Sequence, residues 1–175
     1  MSRRCQPAPE SELLILGLGN LLMGDDGLGV YAAEKLLPFR HPPKIDIVDG
    51  GTSLLFYLEQ ISRSRRLLVI DALLGNEPPG SLYRIDLDDI SEGTDSFRTA
   101  HGIALSDVIA LARSHTGFPS QVTIIGAEPL DCHPSIGLSP PVAAALPLLV
   151  EQVVHEIRIH CNQKENVLVR PVGTS

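Results

Sequence analysis

The sequence predicts an α/β fold in three layers, with a mainly parallel, twisted sheet of about five strands that is covered by helices on both faces. Three observations support this prediction. Short apolar runs alternate along the chain with segments of helical periodicity, which is the pattern of strand and helix units in an α/β protein. Most of these runs are apolar throughout, as in strands that are buried on both faces. Glycines and polar residues follow them, where a parallel sheet has its ligand-binding edge.

Five segments have the length and composition of strands, and turn residues separate them from their neighbours. The predicted strands are Leu13–Leu18, 45–49, 67–73, 81–87 and 121–126. The fourth segment alternates polar and apolar residues, which is typical of a half-exposed edge strand, and an antiparallel direction is open to it. The other four are expected to form the buried centre of the sheet.

Four segments with apolar residues at helical spacing lie between or after these strands. The predicted helices are 28–37, 52–61, 103–113 and 139–160. Thr52 is the expected N-cap of the second helix, and Ser139 with Pro140 forms an N-cap and N1 pair at the start of the last. The polar segment 88–98 has no periodicity and is predicted to be a mobile loop.

Length and composition favour one globular domain, because 175 residues with 43% hydrophobic side chains can bury a full core. A net charge of -7 and an aromatic content of 4% argue against a nucleic-acid partner. Three cysteines without CxxC spacing fit a reduced protein, and no segment is apolar enough for a membrane span. We expect a cytoplasmic monomer with a disordered leader at 1–11, a domain at 12–161 and a loosely held tail at 162–175.

The first strand ends in a glycine-rich loop that contains two adjacent acids, Asp25 and Asp26. Gly17 and Gly19 open the loop like a dinucleotide-binding fingerprint, but Leu22 stands at the third glycine position. The spacing that follows is that of a P-loop, but the two acids occupy the positions of the lysine and the hydroxyl residue. Carboxylates near a helix N-terminus repel pyrophosphate and attract a cation. The loop is therefore predicted to face a metal ion or to handle protons.

Other isolated polar residues also fall where parallel strands end. Asp49 follows the second predicted strand, Asp71 lies at the carboxyl end of the third, and His101 precedes a helix. We expect them to share one cleft with Asp26 at the carboxyl edge of the sheet. Two carboxylates and one imidazole suit a borderline divalent ion and leave coordination positions open for water or substrate. Each residue alone also fits a simpler role, such as a helix-starting acid, so the prediction depends on the group.

These motifs, in this order, resemble those of the hydrogenase maturation endopeptidases, which trim the C-terminal extension of the large subunit of nickel–iron hydrogenases. The resemblance covers most of the chain, from the first strand to the last helix. The matching motifs are Gly17-x-Gly19-Asn20-x-Leu22-x-x-Asp25-Asp26-Gly27-x-Gly29, Asp49-Gly50-Gly51-Thr52, Val69-Ile70-Asp71-Ala72, His101-Gly102-x-x-Leu105-x-Asp107-Val108 and Gly137-Leu138-Ser139.

Matched motif by motif, the resemblance implies that Asp26, Asp71 and His101 contact nickel, with Asp25 as an adjacent alternative to Asp26. It also implies that nickel arrives already inserted in the substrate, a hydrogenase large-subunit precursor, and that other divalent ions can occupy the site. The candidate catalytic residues are Asp26, Asp49 and Asp71. Two routes to cleavage are open. The metal can act as a Lewis acid or activate a bound water, or Asp49 can act as a general base on water.

Two other classes of function are also open. A nickel-sensing chaperone or nickel carrier for the same precursor would use the same ligands without catalysis. A nucleotide-binding oxidoreductase with a degenerate glycine loop is the third hypothesis, and the acid pair weakens it. A serine hydrolase is not supported, because no GxSxG elbow is present. Asp131-Cys132-His133 is expected to pack at the surface, and the loop at 88–98 is the candidate for contact with the client protein.

Overall fold

The computed structural model describes residues 8–38, 42–89, 98–99 and 105–168. The strands are β1 Leu13–Leu18, β2 Ile45–Gly51, β3 Arg66–Leu74, β4 Leu82–Asp86, β5 Arg98–Thr99 and β6 Gln121–Ala127. The α-helices are α1 Leu28–Leu36, α2 Leu58–Ser62, α3 Leu105–Thr116 and α4 Pro140–Leu168. Short 3₁₀ helices occupy Gly24–Gly27, Leu54–Tyr57 and Leu87–Asp89.

The main sheet has the strand order β2-β1-β3-β6-β4, and the short β5 pairs with β3 off this path. Strands β1, β2, β3 and β6 are parallel, whereas β4 pairs antiparallel with β6 at the edge. Because β2 and β3 lie on opposite sides of β1, the strand order reverses there, and the switch point falls between β1 and β3. The predicted α/β class with a mainly parallel sheet is confirmed, and the edge strand does run antiparallel.

Helices cover both faces of the sheet, which confirms the three-layer arrangement. Leu13 and Ile15 of β1 belong to a core cluster that contains side chains of α1 and α4. Leu14 and Leu16 belong to a second cluster with side chains of α2 and α3. Each of these four strand residues is at most 4% exposed. A strand buried on both sides has no polar position, which is why β1 is a continuous apolar run.

Three predicted helix boundaries are wrong, and the first is the end of α3, which lies at Thr116 and not at residue 113. Helix α4 continues to Leu168, eight residues beyond its predicted end at 160, because no proline or glycine lies between His160 and Pro171. The second predicted helix begins as a 3₁₀ helix at Leu54, with Ser53 at the N-cap position and no side-chain cap. Thr52 is therefore not its N-cap. No helix in the described part of the chain has the length and apolarity that a membrane span requires.

The segments that were predicted to be irregular are partly regular. The predicted loop at 88–98 begins inside a 3₁₀ helix and ends in β5, and residues 90–97 lie outside the described ranges. Glu10 and Ser11, which were assigned to the disordered leader, both donate main-chain hydrogen bonds to the Arg63 carbonyl oxygen. Residues 10 and 11 are therefore attached to the domain, and a disordered leader before them stays a prediction. The loosely held tail at 162–175 stays a prediction, although its first part continues α4.

Backbone-to-backbone contact fixes α1 against the sheet at the switch point. A Cβ atom on Gly29 would lie 2.1 Å from the Ile70 carbonyl oxygen and 2.3 Å from the Leu18 carbonyl oxygen. A Cβ atom on Gly17 would lie 2.1 Å from the Gly29 carbonyl oxygen. No side chain fits these gaps, so the glycines of the first motif serve close packing of helix on strand.

The variant Gly29→Ala is expected to lower the free energy of unfolding by about 1–3 kcal/mol, which is the usual effect of overpacking. The sign of the change in the free energy of unfolding is informative, because alanine is otherwise more favourable than glycine inside a helix by about 1 kcal/mol. Urea unfolding followed by circular dichroism measures the change. Glu34→Ala, on the exposed side of α1, is the control and should stay within about 0.5 kcal/mol of the parent. A more stable Gly29→Ala variant would contradict the close contact.

Candidate active site

The candidate site lies at the carboxyl edge of the sheet, at the switch point between β1 and β3. Asp26 lies in the 3₁₀ helix that follows β1, and Asp71 lies inside β3 near its carboxyl end. Asp26 is 6% exposed and Asp71 is 0% exposed. We call these two residues the buried pair. Removing a carboxylate from water is unfavourable, so two of them at the ligand-binding edge of an open sheet indicate a functional centre.

Main-chain groups orient both carboxylates of the buried pair. Asp26 Oδ2 accepts a hydrogen bond of 3.0 Å from the Asn20 N–H. Asp71 Oδ1 accepts one of 2.8 Å from the N–H of Ala72, the next residue along β3. Both donors are main-chain groups at or just beyond the end of a central strand, so the backbone there helps to orient each carboxylate.

The glycine loop packs against protein atoms, and this packing leaves the hypothesis of a nucleotide-binding oxidoreductase without support. Gly19 has a φ of +146°, and a Cβ atom there would lie 2.0 Å from the Asp26 carbonyl oxygen. The main chain of the acid segment therefore packs directly on the glycine turn, where a dinucleotide-binding protein brings its backbone close to a pyrophosphate. Gly17 and Gly29 contact each other across the strand and the helix. Close packing thus accounts for these glycines, and nucleotide binding is not needed to explain them.

Cys132 lies beside the buried pair. Burial, and then the carboxylates of Asp26, Asp25, Asp131 and Asp71, raise the pKa of its thiol to about 11. The 3₁₀ helix that carries Asp26 contacts β3, the strand that carries Asp71, and the carboxylates of both residues raise the pKa of this thiol. The structure therefore brings together two of the residues that the sequence predicted to share a cleft.

The expected surface packing of Asp131-Cys132-His133 applies to two of its members only. Asp131 and His133 are exposed, and their side chains pair with each other. Cys132 between them is half-buried, and the nearby carboxylates raise the pKa of its thiol. Sequence spacing gave no reason to select it, because no second ligand pair lies nearby in the chain. The signal was topological: the segment follows β6, the neighbour of β3, and so reaches the same edge of the sheet.

Asp25 forms hydrogen bonds with the loop that follows β6. It is 0% exposed. Its two oxygens accept four hydrogen bonds, from the main-chain N–H groups of Leu130 (2.8 Å), Asp131 (3.1 Å) and Ser139 (2.7 Å) and from the Ser139 hydroxyl (2.8 Å). These bonds use both oxygens of Asp25 inside the protein, so Asp25 is a poor candidate for a ligand of a bound ion.

Asp49 lies on the far side of β1 from Asp71. It is exposed, and its Oδ1 accepts a hydrogen bond of 2.9 Å from the Gly51 N–H. In the sheet register, both Asp49 and Ile70 are paired with Gly17, so two strand spacings, roughly 10 Å, separate their backbones. Asp49 can thus face a substrate bound at this edge, but it is not a member of the buried pair.

His101 lies outside the described residues, and its role as a third ligand stays a prediction. Thr99, two residues earlier in the sequence, pairs with Leu73 of β3, close to Asp71. Within the described ranges, no three or more histidine, cysteine, aspartate and glutamate side chains are arranged as a metal site. The buried pair therefore supplies two candidate ligands, and nickel binding stays a prediction with His101.

A cavity of about 320 Å³ lies at the opposite edge of the sheet. The first residues of β3 and β6, the end of β4 and the later turns of α4 line it. Arg84 in its wall is paired with Asp86 and Glu156. The cavity is therefore remote from the buried pair and takes no part in the candidate site.

Comparison with known proteins places this fold and site in one family. A family model described as HycI, hydrogenase maturation protease, matches residues 30–156 of the chain. The chain belongs to the hydrogenase maturation protease family. The predicted resemblance is thus confirmed, and the chain is a hydrolase of the peptidase class.

Relatives of this peptidase match it along most of their length. The hydrogenase expression/formation protein HupD of Rhizobium leguminosarum bv. viciae is 30% identical over 155 residues, which is 87% of this chain and 77% of HupD. The hydrogenase 2 maturation protease of Escherichia coli K12 is 30% identical over 148 residues, 83% of this chain and 90% of that protease. The structure of the hydrogenase maturating endopeptidase HybD from E. coli superposes with a TM-score of 0.73 at 30% identity, covering 84% of this chain and 92% of HybD.

In this peptidase, Asp26→Asn is expected to speed the alkylation of Cys132 several-fold at pH 9. Loss of a neighbouring negative charge lowers the thiol pKa from about 11, so more of the reactive thiolate is present. Timed treatment with iodoacetamide and peptide mapping by mass spectrometry measure the rate at Cys132 alone. Asp46→Asn, an exposed change on β2, is the control and should leave that rate unchanged. Equal rates in the two variants would contradict the placement of Cys132 beside Asp26.

Proposed function

We propose that this peptidase removes the C-terminal extension of a nickel–iron hydrogenase large-subunit precursor, and that it does so only after nickel has been inserted into that precursor. The names of the related hydrogenase 2 maturation protease and of HybD support a hydrogenase client. The buried pair is the observation that carries the nickel requirement, because two buried carboxylates on contacting elements are suitable ligands for a divalent cation. The proposal keeps the sequence-based expectation of a cytoplasmic monomer.

Nickel belongs to the substrate in this proposal. Asp26 and Asp71 would contact it, with His101 as the predicted third ligand. Three protein ligands leave further coordination positions for the ligands that the precursor itself provides. A precursor without nickel presents no cation to the two carboxylates, and the electrostatic attraction to the site is lost. Loaded and empty precursors would therefore differ in how well they bind.

Cleavage requires a water molecule that is activated for attack on the scissile carbonyl. A bound divalent metal can supply this chemistry by polarising the carbonyl or by lowering the pKa of a coordinated water. The chain itself offers Asp49 as a general base. Its exposed position at the carboxyl edge and its hydrogen bond from the Gly51 N–H support this role, because the carboxylate is oriented and in contact with solvent.

Exposed apolar side chains on the same edge support a protein as the substrate. Leu22 is 64% exposed, Phe56 is 87% exposed and Ile136 is 86% exposed. A hydrogen bond of 3.0 Å from the Ser135 N–H to the Leu22 carbonyl oxygen joins the loops that carry Leu22 and Ile136. Apolar groups grouped on a surface are typical of protein-binding sites. The predicted client loop at 88–98 lies mostly outside the described residues and stays a prediction.

Purified peptidase is expected to shorten a nickel-loaded precursor and to leave a nickel-free precursor intact, as measured by intact-mass spectrometry. Asp26→Asn, Asp71→Asn and His101→Ala should each slow cleavage of the loaded precursor by about 100-fold or more, because each change removes a proposed contact to the nickel that marks the substrate. Asp46→Asn is the matched control on an exposed strand position and should cleave normally.

Two results would change the proposal in different ways. Equal cleavage of loaded and nickel-free precursors would reject the nickel requirement but keep the peptidase activity. Intact precursors in every reaction, combined with binding of the loaded form, would favour the nickel-sensing chaperone or carrier.

The variant Asp49→Asn is expected to lower kcat on the loaded precursor by about 100-fold or more and to leave KM within about threefold. A general base acts on water in the transition state, so its loss affects turnover more than binding. Initial rates at varied precursor concentration separate the two constants. An unchanged kcat would show that Asp49 is not the base and leave water activation to the metal.

A further inference from the structure

We infer that Asp25 is a positioning residue, which ties the loop between β6 and α4 to the loop after β1 and so holds one wall of the site beside the buried pair. We call its four hydrogen bonds to Leu130, Asp131 and Ser139 the Asp25 clamp. The effect of the clamp on cleavage rests on the proposed function, whereas its effect on the loop can be measured without substrate.

The clamp joins both ends of one loop to a single side chain by hydrogen bonds. Two of the bonds reach Leu130 and Asp131 at the beginning of the loop, and the other two reach Ser139, directly before α4. The main chain adds to this connection, since the Asp25 N–H donates to the Asp131 carbonyl oxygen at 3.0 Å. Met23 also forms an isolated bridge with Ser135 in the middle of the loop. The segments after β1 and β6 therefore form one connected unit.

Only a short carboxylate satisfies the clamp. All of its partners are N–H or O–H donors, and an ionised carboxylate has two oxygens that only accept. An asparagine would direct its own NH₂ group against at least one N–H donor and leave it unsatisfied. A glutamate would add a methylene where the native side chain is 0% exposed, which the packing has no room for. The chemistry of the donors thus accounts for aspartate at this position.

The clamped loop carries one side chain close to the acids and two exposed apolar side chains. It places Cys132 beside the buried pair. It also carries Leu130, which is 58% exposed, and Ile136, which is 86% exposed. Asp26 follows Asp25 directly in the chain, so the clamp also fixes the backbone from which Asp26 projects. Loss of the clamp would therefore disturb substrate binding more than the chemistry of bond cleavage.

Ser139 offers a matched pair of variants that separates the clamp from general effects of mutation. Ser139→Thr keeps the hydroxyl that donates to Asp25, and Ser139→Val replaces it with a methyl group of similar shape. Both variants add the same bulk at a half-buried position. Any difference between them reports the hydroxyl bond alone.

Hydrogen exchange of the substrate-free protein tests the clamp directly. Asp25→Asn is expected to speed exchange of the Leu130 and Asp131 amides by about tenfold or more, because both amides donate to the Asp25 carboxylate. Ser139→Val should speed it less, and Ser139→Thr should match the parent. The amide of Val69 in the centre of β3 is the internal control for global opening. Unchanged exchange at Leu130 and Asp131 in both Asp25→Asn and Ser139→Val would overturn the inference. Ser139→Val keeps the test valid if Asp25→Asn does not fold.

Cleavage kinetics on the nickel-loaded precursor test the positioning role. Ser139→Val is expected to raise KM several-fold with a smaller change in kcat, and Ser139→Thr should restore the parent KM. A purely destabilising change would instead lower the fraction of folded peptidase, and so reduce the apparent kcat without moving KM. Equal KM values for the two variants would overturn the positioning role. If the parent cleaves no precursor, the proposed function fails, and the exchange rates alone then support or overturn the clamp.

Discussion

The direct contact between the backbone of α1 and the backbone of the sheet is the constraint on which the site depends. With no side chain at Gly17 or Gly29, the helix approaches the strands far more closely than helices that pack through side chains. The 3₁₀ helix that precedes α1 is thereby held against the end of β1 and beside β3. Because of this close packing, Asp26 lies near Asp71, which belongs to a different strand.

Asp25 and Asp26 have different roles because of the geometry of the 3₁₀ helix that carries them. A 3₁₀ helix turns by about 120° per residue, so consecutive side chains point in clearly different directions. Asp25 is directed to the loop after β6, where donors surround it. Asp26 accepts a main-chain hydrogen bond from Asn20, at the end of β1. The acid pair is therefore one structural residue and one candidate ligand, side by side in the chain.

Sequence patterns predicted what local periodicity and chain order determine, and they missed what distant contacts determine. The bounds of β1 and the placement of Asp26 and Asp71 at one edge follow from apolar runs and from the geometry of parallel sheets. The distinction between Asp25 and Asp26 does not follow from such patterns, because the partners of Asp25 lie 105 to 114 residues away in the chain. Cys132 was undervalued for the same reason. The separation of Asp49 from Asp71 depends on strand order, which a single sequence does not contain.

The position of Asp71 within a strand has a further consequence. Asp71 is in register with Gly126 of β6, and a Cβ atom on Gly126 would lie 2.2 Å from the Asp71 carbonyl oxygen. The main chain at Asp71 is therefore enclosed by its neighbour and has little freedom to shift. A carboxylate carried by such a strand keeps a fixed position relative to the sheet. Any adjustment of the site's shape would therefore have to come from the loops that follow the strands.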